Sequence, residues 1–164
     1  MFFLKELPTR QMLEGYHQRF PSMNVEAVEG ALHLLRDASV LLRALEAYFA
    51  EHQLSQVRFL VLVVLDREPE LDGLMASEVA SRLDISRPLM TRTLHALEQD
   101  GLVSSTGHQQ DGRVRVVRLT SKGSRLLERV LPGYYQIIEA FMHQRSPPAE
   151  KTPVKEERNA GRRS

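Results

Sequence analysis

Residues 75–120 read MASEVASRLDISRPLMTRTLHALEQDGLVSSTGHQQDGRVRVVRLT. The stretch divides into a short helix, a tight turn, a second helix and a two-stranded hairpin. The second helix is the best specified element. Ser86 stands where an N-cap belongs, and Pro88 falls in the first turn, where a missing N–H costs little. Leu89, Met90, Thr93, Leu94 and Leu97 recur at helical spacing and predict a buried stripe. Arg87, Thr91, Arg92, His95 and Gln99 are left facing outward, and no acid interrupts them before Glu98. Gly101 ends the helix as a left-handed C-terminal residue does, and Asp84 in the preceding turn tolerates positive φ.

The hairpin follows directly. Leu102 to Thr106 and Val114 to Leu119 are rich in β-branched residues, with Gly107 to Gly112 as a turn-prone bridge. Arg113, Arg115 and Arg118 alternate with apolar residues on the return strand. Asp111, beside Arg113, can accept from its guanidinium and hold it extended. Taken alone, the hairpin reads equally well as a solvated ribbon. After two helices and a tight turn, it reads as the wing of a winged helix-turn-helix. Groups that donate to phosphates and base edges then define a candidate DNA-contacting set: Ser86, Arg87, Thr91, Arg92, His95, Asp111, Arg113 and Arg115.

Three runs carry a more specific likeness: LEQDGLV at 97–103, DGR at 111–113 and LTSKG at 119–123. In these the chain resembles the MarR family of bacterial transcription regulators, over roughly residues 25–143. The resemblance implies a homodimer, reading of DNA by the second helix, a minor-groove contact from Arg113 and release by a small ligand. The chain departs from the family pattern at Met75, where a hydroxyl N-cap is usual, and at Asp84, where the turn usually has glycine.

Length and charge agree with this. The 164 residues suit one domain with extensions. Net charge is +1, but residues 78–125 hold eight Arg or Lys against five acids, an excess that a dimer doubles. The absence of cysteine excludes disulfides and thiol-based sensing. The opening MFFLKELPTR is too short and too charged for a signal peptide, and Phe59 to Leu65 is far shorter than a membrane span. A cytoplasmic location is expected.

The expected fold is mainly α with a small β-wing: a winged helix-turn-helix at about 55–120 plus long dimerisation helices at 24–52 and 121–143. The first long helix starts at Asn24 and carries two apolar stripes, one with Leu35, Leu42, Leu45 and Phe49, the other with Leu34, Leu41 and Tyr48. A single small domain cannot cover both. Residues 55–68 suit a buried strand or a helix, and their length and Ser55 favour the helix. Pro132 and Gly133 predict a kink in the last helix. Residues 1–23 form an extension whose short amphipathic helix, with Met12, Leu13, Tyr16 and Phe20, is expected at the dimer interface. Residues 146–164 are Pro- and charge-rich without apolar periodicity and predict a disordered tail.

Nothing points to catalysis. The six histidines show no paired metal-ligand spacing, and there is no phosphate-cradling glycine loop. Neither a cofactor nor a metal is expected. A candidate effector site lies at His33, Arg36 and Arg43, which share one edge of the long helix, with Arg58 at the start of the next. Cations over an apolar floor would suit an aromatic carboxylate. The alternative is a solvated helix face on which His33 pairs with Asp37. The reading is therefore a dimeric regulator binding a pseudo-palindromic double-stranded operator, a repressor released by a small ligand. The rival is a winged-helix protein-interaction module that binds no DNA.

Overall fold

The computed structural model describes residues 6–68, 73–108 and 111–145, without the side chains of 108 and 111–114. In chain order the elements are α1 (Arg10–Arg19), α2 (Val25–Glu51), α3 (Gln56–Asp66), β1 (Leu74–Met75), α4 (Ala76–Arg82), α5 (Arg87–Gln99), β2 (Val103–His108), β3 (Asp111–Leu119) and α6 (Ser121–Arg145). The expected disordered tail lies outside the described residues.

The ambiguous segment is helical. Ser55 caps α3 by accepting from the Arg58 amide, and Phe59, Val61, Leu62, Val64 and Leu65 are all buried. A helix buried nearly all round has no polar face, so its pattern cannot be told from a buried strand. The hairpin is longer than its β-branched residues alone suggested, with strands reaching His108 and Asp111. A third strand, β1, pairs antiparallel with β3 through Leu74↔Val117 and Met75↔Val116, giving the order β1-β3-β2. Two residues carry no detectable period, so β1 forms only because β3 offers it an edge.

The core gathers Phe49 from α2, Phe59 and Leu62 from α3, Val79 from α4, Leu94 and Leu97 from α5, Val117 from β3, and Leu127 and Val130 from α6. The first stripe of α2 is therefore split. Leu45 and Phe49 are buried, whereas Leu35 and Leu42 stay 50% and 41% exposed, because only the C-terminal half of α2 lies over the winged part. Of the α1 residues expected to pack, only Leu13 is buried. Arg10 ties α1 down through Glu14, Glu26 and Glu29. The Glu26 carboxyl is held below its ordinary range, first by a backbone N–H at the start of α2 and then by Arg10.

Pro132 lies inside a single helix running from Ser121 to Arg145. It removes the N–H that would serve a carbonyl one turn back. In that region the Tyr48 hydroxyl donates to the Val130 carbonyl at 2.9 Å. Gly133 makes room for the ring, since a Cβ there would lie 2.5 Å from the Tyr48 Cζ.

Gly123 is under a harder constraint. A Cβ there would sit 2.1 Å from the Leu102 carbonyl oxygen, which is backbone and already accepts from the Thr120 amide. Gly123→Ala is expected to lower stability by about 1–3 kcal/mol, as overpacking of a close contact does. Urea denaturation checks this. An unchanged midpoint would mean that α6 can shift away from the β2 entrance.

Candidate nucleic-acid interface

Helix α5 follows from its sequence except that Leu89 is only half-buried and the cap differs. Met90, Thr93, Leu94 and Leu97 are buried, and Arg87, Thr91, Arg92 and His95 are exposed on the opposite side. Ser86 occupies the N-cap position, but its side chain makes no cap hydrogen bond. Pro88, at the second helical position, removes one of the two amides that an N-cap hydroxyl can take. The exposed Ser86 hydroxyl is thus left at the helix start, where backbone donors and the positive dipole end favour an anion. Asp84 and Gly101 bracket the unit at φ +50° and +67°, as their residue types suggest.

The outward side chains differ in how they are held. Thr91 Oγ1 donates back to the Arg87 carbonyl at 3.0 Å, and His95 contacts Gln99 at 3.0 Å. Among the described residues, the side chains of Arg87 and Arg92 have no hydrogen-bond or ion-pair partner within the chain. Two long cations therefore project from the first half of the helix without an internal acceptor.

The wing residues divide. Arg115 turns toward α5, where Glu98 accepts from it at 3.1 and 3.4 Å and also accepts from Ser105 Oγ. Its role within the chain is to brace β3 against the reading helix. The opposed charge of Glu98, placed across the sheet edge by the fold, was not apparent from strand alternation. The side chains of Asp111 and Arg113 lie outside the described residues.

The candidate effector residues do not form one pocket within the chain. His33, Arg36 and Arg43 are exposed on α2, and Arg43 donates to the buried Ser39 hydroxyl at 2.8 Å. Asp37 pairs with Arg145 at the far end of α6 rather than with His33. Arg58 instead lies in a cleft of about 340 Å³ with His52, Asp100, Lys122 and Arg129. A rise of about 1.5 Å per residue puts Arg36 roughly 20 Å from the end of α2 that borders this cleft. Spacing along one helix correctly groups three of the residues, but cannot show which end of the helix faces a cavity.

Two of the three motif runs, 97–103 and 119–123, meet in space. Thr120 Oγ1 donates to the Gly101 carbonyl at 2.7 Å and accepts from the Gly123 amide at 3.1 Å. One hydroxyl thus caps α6 and ties its start to the end of α5, which explains why the threonine and both glycines occur together. The description "MarR family" matches residues 52–114, spanning the two helices and most of the hairpin. Over these residues the chain is similar to the MarR family of transcriptional regulators.

The chain is 29% identical over 143 residues to the HTH-type transcriptional repressor YetL of Bacillus subtilis, covering 87% of this chain and 85% of that one. It is 27% identical to the transcriptional repressor MprA of Escherichia coli K12, over 80% and 74% of the two chains. Its fold matches the Mycobacterium tuberculosis regulator MosR, solved in complex with DNA, with TM-score 0.56, 25% identity and 71% and 81% coverage. It also matches a MarR-family regulator of Streptomyces coelicolor, again in complex with DNA, with TM-score 0.70, 23% identity and 77% and 79% coverage. These relatives are regulators and not enzymes. Among the described residues, no helix is long and apolar enough to cross a membrane, and no cluster of three metal-ligating side chains occurs.

Proposed function

We propose that this regulator is a two-fold dimer that binds a pseudo-palindromic DNA site as a repressor and is released by a small anionic ligand. The observation that carries the DNA reading is the outer face of α5, where Arg87, Thr91, Arg92 and His95 are exposed side by side. A face with donors and no acid is suited to phosphates and base edges. Thr91, Arg92 and His95 sit mid-helix, where base edges come within reach. Ser86 and Arg87 at its start are placed for phosphate. Arg113, near the start of β3, is assigned to an adjacent minor groove. Half-sites about 10 bp apart match one turn of the duplex. The repressor assignment leans on YetL and MprA, both named as repressors.

A gel-shift with DNA upstream of the reading frame tests the proposal. Loss of Arg92 and loss of Arg113 should then differ. Arg92→Ala is expected to cost roughly 1–3 kcal/mol and to relax sequence preference at one or two positions. Arg113→Ala is expected to weaken all sites evenly and to flatten the salt dependence by nearly one unit of slope per phosphate lost. A folded dimer whose affinity and salt slope survive Arg113→Ala would remove the wing from the interface.

The ligand part is supported by the cleft beside α5, where Lys122 and Arg129 stand with Leu54, Leu102 and Leu126, although Glu51 and Asp100 line it too. A small aromatic carboxylate matches charge and floor together. Calorimetry against benzoates and heteroaromatic acids is expected to find a binder that weakens DNA affinity. Reciprocity then requires DNA to weaken the ligand by the same factor, typically about 5–150-fold. A panel with no effect on melting or DNA binding would remove this class of ligand.

A further inference from the structure

One guanidinium joins the long-helix frame to the reading helix. Arg58, in the first turn of α3, donates from Nη1 to the Gln53 carbonyl at 3.1 Å and pairs through Nη2 with the Asp100 carboxylate. Gln53 lies in the turn that closes α2 and takes φ +57°, an unusual left-handed conformation for a residue with a side chain. Asp100 is the C-cap of α5. Its carbonyl accepts from Lys122 Nζ of α6 at 2.7 Å, so it is gripped from two elements at once. The Arg58 side chain is only 19% exposed, and its Nε is buried without a partner among the described residues. Its hydrogen bonding is thus committed to two acceptors, one on the frame and one at the end of α5.

We propose that Arg58 is a positioning residue for operator recognition, fixing the direction of α5 relative to the long helices. The inference rests on the dimeric DNA-reading function proposed above. Apolar packing through Met90, Leu94 and Leu97 sets which face of α5 turns inward. A planar fork whose two acceptors lie on different elements adds a directional restraint to that packing. The lever is long. Thirteen residues span roughly 20 Å, so a tilt of about 5° at Asp100 moves the Arg87 end by nearly 2 Å. That is a large part of the ~3.4 Å between base pairs. In a two-fold dimer the displacement occurs twice, in opposite senses. Arg58 therefore sets the spacing of half-sites that the dimer accepts.

The test uses the full-length dimer and a panel of duplexes whose half-sites lie about 8–12 bp apart. The unmutated protein is expected to prefer one spacing by roughly tenfold or more. Arg58→Lys keeps the charge and loses the fork, and Asp100→Asn removes the acceptor charge at an exposed position. Each is expected to cut the spacing preference by roughly tenfold, the size of a lost coupling between contacting groups. Dimer mass, melting temperature and affinity for a single half-site should stay unchanged. The double variant should lose no more than either single one. A spacing profile unchanged in both variants overturns the inference, as does uniform weakening at every spacing with a matching fall in melting temperature. If the unmutated dimer binds no duplex, it is the DNA-reading function that fails, and the inference fails with it. Asp100 is half exposed, so its variant reports even if Arg58→Lys does not fold.

Discussion

Leu34→Asp is expected to turn the protein into a monomer at micromolar concentration and to take operator affinity down to the non-specific level. Leu34 is 68% exposed on α2, with Leu35 at 50% and Leu42 at 41%. On α6, Tyr135 and Met142 are 52% and 51% exposed, and Met12, Tyr16 and Phe20 add further apolar surface from α1. Among the described residues none of these side chains is covered by the chain's own core. Solvated apolar area on three helices matches what a second copy would bury, and a two-fold axis uses each residue twice. Burying one leucine contributes about 1.5–3 kcal/mol, so two lost leucines cost roughly 3–6 kcal/mol before the penalty of burying an unpaired charge. That exceeds a 10³-fold change in dimer dissociation at its midpoint. Losing the second reading helix removes the gap of about 10³-fold or more between specific and non-specific binding. Sedimentation and fluorescence anisotropy measure the two effects. A dimer of unchanged mass and affinity would place the interface elsewhere.

Phe49→Ala is expected to be the most damaging core substitution, lowering stability by about 3–5 kcal/mol. Phe49 is 1% exposed. Its ring lies 4.4 Å from that of Phe59 on α3 and 6.1 Å from that of Tyr134 on α6, and Phe59 and Tyr134 are 4.9 Å apart. The three rings form a continuous contact from the long helices into the winged part. Removing the Phe49 ring leaves a cavity beside Phe59 and Tyr134 that neighbours on separate helices cannot close together. For a chain of this size the melting temperature should fall by roughly 6–20 °C. Calorimetry reads the change directly. A fall of only a degree or two would show that the α2–α3–α6 junction repacks, which would also weaken the case for a rigid link through Arg58.

Local chemistry determined the elements that are short in sequence and strict in geometry. Asp84 and Gly101 lie at the positive-φ positions their residue types suit, and the apolar stripe of α5 is buried where its period places it. The Thr120–Gly123 run starts α6 because the Thr120 hydroxyl accepts from the amide three residues on, which is a local N-cap. These depend on neighbours a few residues apart, so one chain of letters contains all the terms.

Only the tertiary structure decided the contacts made across long separations. β1 pairs with β3 across 42 or so residues and has no signal of its own. Arg58 meets Asp100 at a separation of 42, and Arg115 meets Glu98 at 17. A charged residue shows its valence in the sequence but not its partner, because the partner is chosen by how helices and sheet pack. For that reason Arg115 was legible as a cation beside a duplex and not as a brace, and Arg58 was grouped with His33, Arg36 and Arg43 rather than with the end of the reading helix. The same holds for the apolar stripes of α2. Their period determines that they form faces, while which half meets the core and which half is left exposed depends on where the winged part sits along the helix.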